Sequence, residues 1–329
     1  MDIVVSGIRP TGNLHLGNYF GAVRAFTQMQ NEYNCFFFIA DWHSLTTHPH
    51  PDNIVRSTNT ILAEYLACGI DPEKATIYIQ SDVREVVELY LYLNMNAYLG
   101  ELERTTSFKE KARQQPDNVN AGLLTYPSLM AADILMHKAV KVPVGKDQLP
   151  HLEQTRVVAD RFEARYGHPD GADEPVFPRP QGLLSEAETV LGLDGAKMSK
   201  SRGNTIELRM SADQTAKLIR KAVTDSDRRI AFDPANRPEV SNLVLLAAMA
   251  QGREPAAVAE EIGDGGAGAL KKLVTESVND MLAPIRARRA ELEADPGYVR
   301  GVLRRGIERA TERAEATLAE VREAMNMTY

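Results

Sequence analysis

Apolar residues in the first half of the chain fall into two alternating kinds of run. Short, nearly continuous ones, "DIVVSGI", "CFFFIADW", "ATIYIQS" and "VKVPVG", have the look of strands buried on both faces. Between them, "LGNYFGAVRAFTQMQNEY", "DNIVRSTNTILAEYLACG", "REVVELYLYLNMNAYLG" and "GLLTYPSLMAADILMHKA" place apolar residues near a 3.6-residue period, as helices with one buried face do. The alternation continues to about residue 166 and predicts an α/β fold, a Rossmann-like, doubly wound parallel sheet. "YGHPDGADEPVFPRPQG" then reads as a Pro-, Gly- and Asp-rich loop. Few strand signals follow it, and residues 211–325 read as helices, ending in the long pattern "YVRGVLRRGIERATERAEATLAEVREAMN". The division expected is a sheet domain over residues 1–204 and an all-helical C-terminal domain over 205–329.

Composition narrows this picture. A chain of 329 residues, 43% of them hydrophobic, is long enough for two domains with proper cores. "MDIVVSGI" carries no basic, apolar leader, and no apolar run nears the roughly 20 residues of a membrane span, so a soluble, cytoplasmic protein is expected. Cys35 and Cys68 sit inside apolar patterns with no CxxC neighbour, which predicts reduced thiols and no protein metal site. A net charge of -7 excludes a generic polyanion binder, so any nucleic-acid contact must be local and shape-specific. In the last helical pattern Arg305, Arg309 and Arg313 form an i, i+4, i+8 stripe with Glu308, Glu312 and Glu315 beside it, and its near-neutral balance does not announce RNA binding.

Three stretches carry chemistry. The first predicted strand runs into "GIRPTGNLHLGNYFGAV", where Gly12 and Gly17 permit close approach of a ligand and a helix N-terminus favours phosphate. An ordinary strand-to-helix turn is the plainer reading of two glycines, and the spacing matches neither GxGxxG nor GxxxxGK[ST]. His15 and Asn18, three apart, share a helix face from which both can donate to one phosphate. "GAKMSKSRGN" sets Lys197 and Lys200 between Gly195 and Gly203, on a segment no hydrophobic pattern pins to a core; a solvated charged loop is the alternative. In "TYPSLMAADILMHKA", Tyr126, Met130 and Asp133 fall at i, i+4, i+7, putting an aromatic, a thioether and a carboxylate on one wall. Core packing with an exposed Asp is the simpler account of that periodicity. However, Asp133 lies within "LMAADILM", where a carboxylate is costly without a partner, and the single N–H of an indole is a candidate.

"HLGN" and "KMSKS" resemble the two signature motifs of class I aminoacyl-tRNA synthetases, the first a variant of His-Ile-Gly-His. With "GNYFGA", "DWHSLT", "YIQSDV", "GELERTTSFKEKA", "GLLTYPSLMAADIL", "VPVGKDQLPHLEQTR" and "AVTDS", the run is similar to the bacterial tryptophanyl-tRNA synthetase family over nearly the whole chain. The resemblance implies ATP-dependent activation of L-tryptophan to tryptophanyl-adenylate and its transfer to the 3' end of tRNA(Trp). It also implies a homodimer, Mg2+ arriving with ATP, a catalytic domain ending in the KMSKS loop, and an anticodon-binding role for the helical domain.

Position by position, the family's ATP contacts fall on Arg9, Pro10, Thr11, Gly17, Asn18, Gly145, Lys146, Asp147 and Val190, and on the loop residues Lys197, Met198, Ser199, Lys200 and Ser201. Catalytic roles at the phosphates fall on His15, Asn18, Lys111, Lys197 and Lys200, with the two loop lysines stabilising the charge that develops as pyrophosphate leaves. The amino-acid pocket falls on Val5, Gly7, His43, Tyr126, Met130, Asp133, Val142, Val144 and Gln148. Two positions depart from the family: Val5, where relatives often carry an aromatic, and Arg9, where many carry glutamine. The rivals are a tyrosyl-tRNA synthetase, which typically has glutamine where this chain has Met130, a silent paralogue binding tryptophan or RNA as a regulator, and a small-molecule nucleotidyltransferase.

Overall fold

Among the described residues, five parallel strands form one sheet in the order β3-β2-β1-β4-β5: β1 Ile3–Ile8, β2 Asn34–Ile39, β3 Ala75–Ile79, β4 Lys141–Val144 and β5 Gln181–Leu184. The computed structural model describes residues 1–145, 148–167, 174–184, 190–196, 198 and 203–329. Ile3 to Ile8 lie opposite Asn34 to Ile39, and Cys35 to Ile39 opposite Ala75 to Ile79, so the three strands end level. Four strands stand where the apolar runs predict them. The fifth does not: Gln181-Gly182-Leu183-Leu184 has no β-branched residue and begins inside the stretch expected to be the loop after the sheet. Its strand state comes from pairing with β4, Lys141 opposite Gln181 to Val144 opposite Leu184.

Strand order reverses direction between β1 and β4, and in open α/β sheets ligands sit beyond the carboxyl ends of strands at such a switch point. Successive residues alternate faces: Val4 joins one core, Val5 the other. Helices Pro51–Ala67, Pro238–Gln251 and Gly266–Ala294 supply side chains to the first core. Helices Glu85–Met95, Tyr126–Met136 and Leu149–Tyr166 supply the second.

The last helix, Pro296–Ala324, returns to the sheet. A Cβ at Gly306 would come 1.7 Å from the carbonyl oxygen of Ile77, so only glycine lets the helix backbone lie directly against β3. It thereby covers an edge strand that would otherwise offer unpaired backbone groups. The arginine stripe faces the same way: Arg305 pairs with Glu73 at 3.5 Å, Arg309 donates to the Pro72 carbonyl at 3.0 Å, and Arg313 Nε to the His137 carbonyl at 3.3 Å. Cys35 and Cys68 are free thiols, and burial pushes both up, Cys35 to about 12. Among the described residues no helix is long and apolar enough to cross a membrane.

Candidate active site

The loop after β1 is held from two sides. The buried Glu64 carboxylate, on helix Pro51–Ala67, accepts the Leu14 N–H at 2.7 Å. On the other side residues 14–16 run antiparallel to 206–208: Leu16 N donates to Ile206 O and Leu208 N to Leu14 O, both at 2.9 Å, around a His15–Glu207 bridge. Asn13 Nδ2 donates to Glu207 at 2.7 Å, and Arg209 to Asn13 Oδ1 at 3.2 Å. His15 caps the following helix: Asn18 N donates to His15 Nδ1 at 3.3 Å and His15 N to Asn18 Oδ1 at 3.1 Å. With Nδ1 accepting, the neutral ring carries its proton on Nε2. The helix runs Leu16–Asn18, widens to a π turn over Tyr19–Val23 and continues over Arg24–Met29.

One residue of the second signature segment, Met198, meets the first. Gly17 N donates to Met198 Sδ at 3.4 Å, and a Cβ at Gly17 would stand 3.0 Å from the His15 ring and 3.4 Å from that sulfur. Met198 itself is buried in the core, where no hydrophobic pattern in the sequence placed it. Gly195 (φ 78°) and Gly203 (φ 65°) flank it in the left-handed region that favours glycine.

Beyond the ends of β2 and β3 lies a buried polar cluster. His43, on the turn Asp41–Ser44 after β2, places Nε2 2.7 Å from Asp133 Oδ2. Gln80, directly after β3, donates from Nε2 to both Asp133 oxygens at 2.8 and 2.9 Å. Asp133 is 2% exposed; burial pushes its carboxyl up, and the bonds from His43 and Gln80 draw it back down. The Tyr126 ring lies 4.3 Å from the His43 ring and 5.7 Å from that of His151. Lys111 Nζ sits 3.8 Å from the Tyr126 centroid, and burial, with Arg9 nearby, lowers its pKa to about 8. Flat apolar walls, one desolvated carboxylate and a half-buried cation thus meet beside a loop built at a helix N-terminus. That donor set fits a planar aromatic amine next to a phosphate chain.

Residues 2–283 match the family model described as tRNA synthetases class I (W and Y). The chain belongs to that family. A tryptophan–tRNA ligase of Porphyromonas gingivalis is 58% identical over 98% of this chain and 98% of its own, and one from Nostoc is 44% identical over 98% and 97%. The crystal structure of tryptophanyl-tRNA synthetase from Campylobacter jejuni, complexed with ADP and tryptophan, superposes with a TM-score of 0.84 at 33% identity, covering 99% of this chain and 100% of that one.

In this synthetase the expected pocket residues His43, Tyr126 and Asp133 meet in direct contact, with Lys111 against Tyr126. Met130 packs half-buried on the same helix, and Val5, Val142 and Val144 are buried in the adjoining core. Gly7 has a packing reason of its own, since a Cβ there would meet the Phe38 ring at 2.6 Å. Gly145 and Gln148 are exposed at the end of β4, Pro10 is buried, Thr11 exposed, and Val190 buried. Lys146, Asp147, Lys197, Ser199, Lys200 and Ser201 lie outside the described residues. The partner that a carboxylate in this apolar stretch needs is supplied within the protein by His43 and Gln80, beside the ligand N–H that the sequence offered as a candidate. Nothing in the sequence pattern marks Gln80, Glu64 or His151: each is a single polar residue whose partner lies far along the chain, Glu64 50 residues from Leu14 and Gln80 53 from Asp133.

Proposed function

We infer that the chain activates L-tryptophan with ATP to tryptophanyl-adenylate and transfers it to the 3' end of tRNA(Trp). The observation that carries this is the contact of Tyr126 and His43 with the buried Asp133 acceptor, in a chain 58% identical to a tryptophan–tRNA ligase over 98% of its length. A site built around one buried polar contact rejects ligands that lack it far more strongly than apolar shape does. The loop around His15, the helix start behind it and Lys111 hold the phosphates; Lys197 and Lys200 take up the charge of departing pyrophosphate. Magnesium bound with the nucleotide would supply charge neutralisation at the phosphates, and the described residues hold no His, Cys, Asp or Glu cluster that would bind it separately.

The protein works as a homodimer in the cytoplasm. Support for the dimer comes from Val87, Leu91 and Met95, which stand at i, i+4, i+8 on helix Glu85–Met95 and are 48%, 49% and 70% exposed. A groove of about 490 Å³ lined by Trp42, Leu45, Val87, Tyr90 and Leu129 continues this surface. Residues 205–329 read the anticodon end on the strength of the family alone, because Arg305, Arg309 and Arg313 are engaged within the chain by Glu73 and the Pro72 and His137 carbonyls. Charging of a tRNA(Trp) transcript with labelled tryptophan tests the whole reaction. Ester-linked product on tRNA(Trp) and none on tRNA(Tyr) is expected; tryptophan binding with no charging would instead indicate a regulator.

A further inference from the structure

Gln80 is fully buried, and it is the first residue after β3, on the short turn Gln80–Asp82. Its amide nitrogen reaches both oxygens of Asp133 while its Oε1 accepts the His43 backbone N–H at 3.4 Å. His43 Nε2 closes the ring onto Asp133 Oδ2. Three segments, the ends of two neighbouring strands and the pocket helix, are therefore joined at one carboxylate. A single contact from His43 would leave the carboxylate plane free to turn, whereas an amide spanning both oxygens fixes it.

We propose that Gln80 is a positioning residue for amino-acid recognition, holding the Asp133 carboxylate ionised and in the plane that presents a lone pair to the substrate ring N–H. The proposal rests on the tryptophan reading above. Without the amide, Asp133 keeps the His43 contact but loses two of the three hydrogen bonds that offset its burial, with Asp41 near it from the turn after β2, Tyr78 from β3 and Tyr126 from its own helix. It then turns or takes up a proton, and a carboxyl that can present its hydroxyl to the ring selects less strongly for a ring N–H.

Two variants test this by equilibrium dialysis with tryptophan and 1-methyltryptophan between about pH 6 and 8.5, alongside ATP kinetics from pyrophosphate exchange. Gln80→Met keeps the length and removes the donor. Tryptophan should bind on the order of 10²-fold more weakly, its advantage over 1-methyltryptophan should shrink in step, and KM for ATP should stay within about twofold. Gln80→Glu sets two carboxyls about 3 Å apart, a pair that retains one shared proton. That variant should match Gln80→Met at the alkaline end and regain tryptophan affinity as pH falls, a gain the wild type lacks. An unchanged preference for tryptophan over 1-methyltryptophan in Gln80→Met, or equal losses toward tryptophan and ATP in both variants at every pH, overturns the proposal. Wild-type protein without tryptophan-dependent exchange would instead overturn the functional reading itself.

Discussion

Lys111 lies against the Tyr126 face with a pKa of about 8, because burial disfavours its charged form and Arg9 adds repulsion. The ammonium is present below that pH and lost above it. Since kcat/KM reports the free enzyme, kcat/KM for ATP should be level on the neutral side and fall about tenfold per unit above about pH 8. Lys111→Arg, whose guanidinium does not deprotonate, should abolish the fall; persistence of the fall in that variant would assign it to another group. For Asp133→Ala, tryptophan activation should drop steeply while the penalties against phenylalanine and 1-methyltryptophan shrink, because the buried acceptor goes together with its contact. A full tryptophan preference retained by Asp133→Ala would move recognition to His43. The i, i+4, i+7 spacing of Tyr126, Met130 and Asp133 was legible because helix geometry converts spacing directly into a shared wall. Gln80 was not, since a lone amide after a strand has no periodicity and its meaning comes only from the residue it meets.

At the scale of elements, the loop after β1 is braced by residues far along the chain. Residues 14–16 are paired with 206–208, and Met198 rests on Gly17 from 181 positions away. His15 and Asn18 satisfy each other's backbone N–H groups, which makes them a coupled unit. Alanine at each should slow adenylate formation, and the double substitution should cost less than the sum of the two; full additivity in a double-mutant cycle would contradict that coupling. The loop lysines are proposed to act on the charge that develops as pyrophosphate leaves. Ala at Lys197 or Lys200 should lower the single-turnover activation rate on the order of 10²-fold with tryptophan affinity barely changed. Four strands and their intervening helices were readable from apolar runs and the 3.6-residue period. β5 was not, because QGLL draws its conformation from β4 and not from its own residues.

For the whole molecule, the last helix binds the C-terminal segment to the edge of the sheet, with Gly306 on Ile77 and three arginines bonded to the loops that flank it. The arginine stripe was visible in sequence, but its direction was not, because helical spacing tells which residues share a face and not what the face meets. The exposed Val87, Leu91, Met95 face makes the oligomeric prediction concrete: Leu91→Glu should convert a dimer to a monomer by sedimentation velocity, and a monomeric wild type would remove the basis of that assignment. The central claim is that the Tyr126, His43 and Asp133 pocket and the phosphate loop act on tryptophan and ATP in one reaction. Exchange of labelled pyrophosphate into ATP, run with tryptophan, tyrosine, phenylalanine or no amino acid, tests it most directly. Rapid exchange with tryptophan alone is the result expected; exchange driven by tyrosine, exchange without any amino acid, or none with tryptophan would contradict the account.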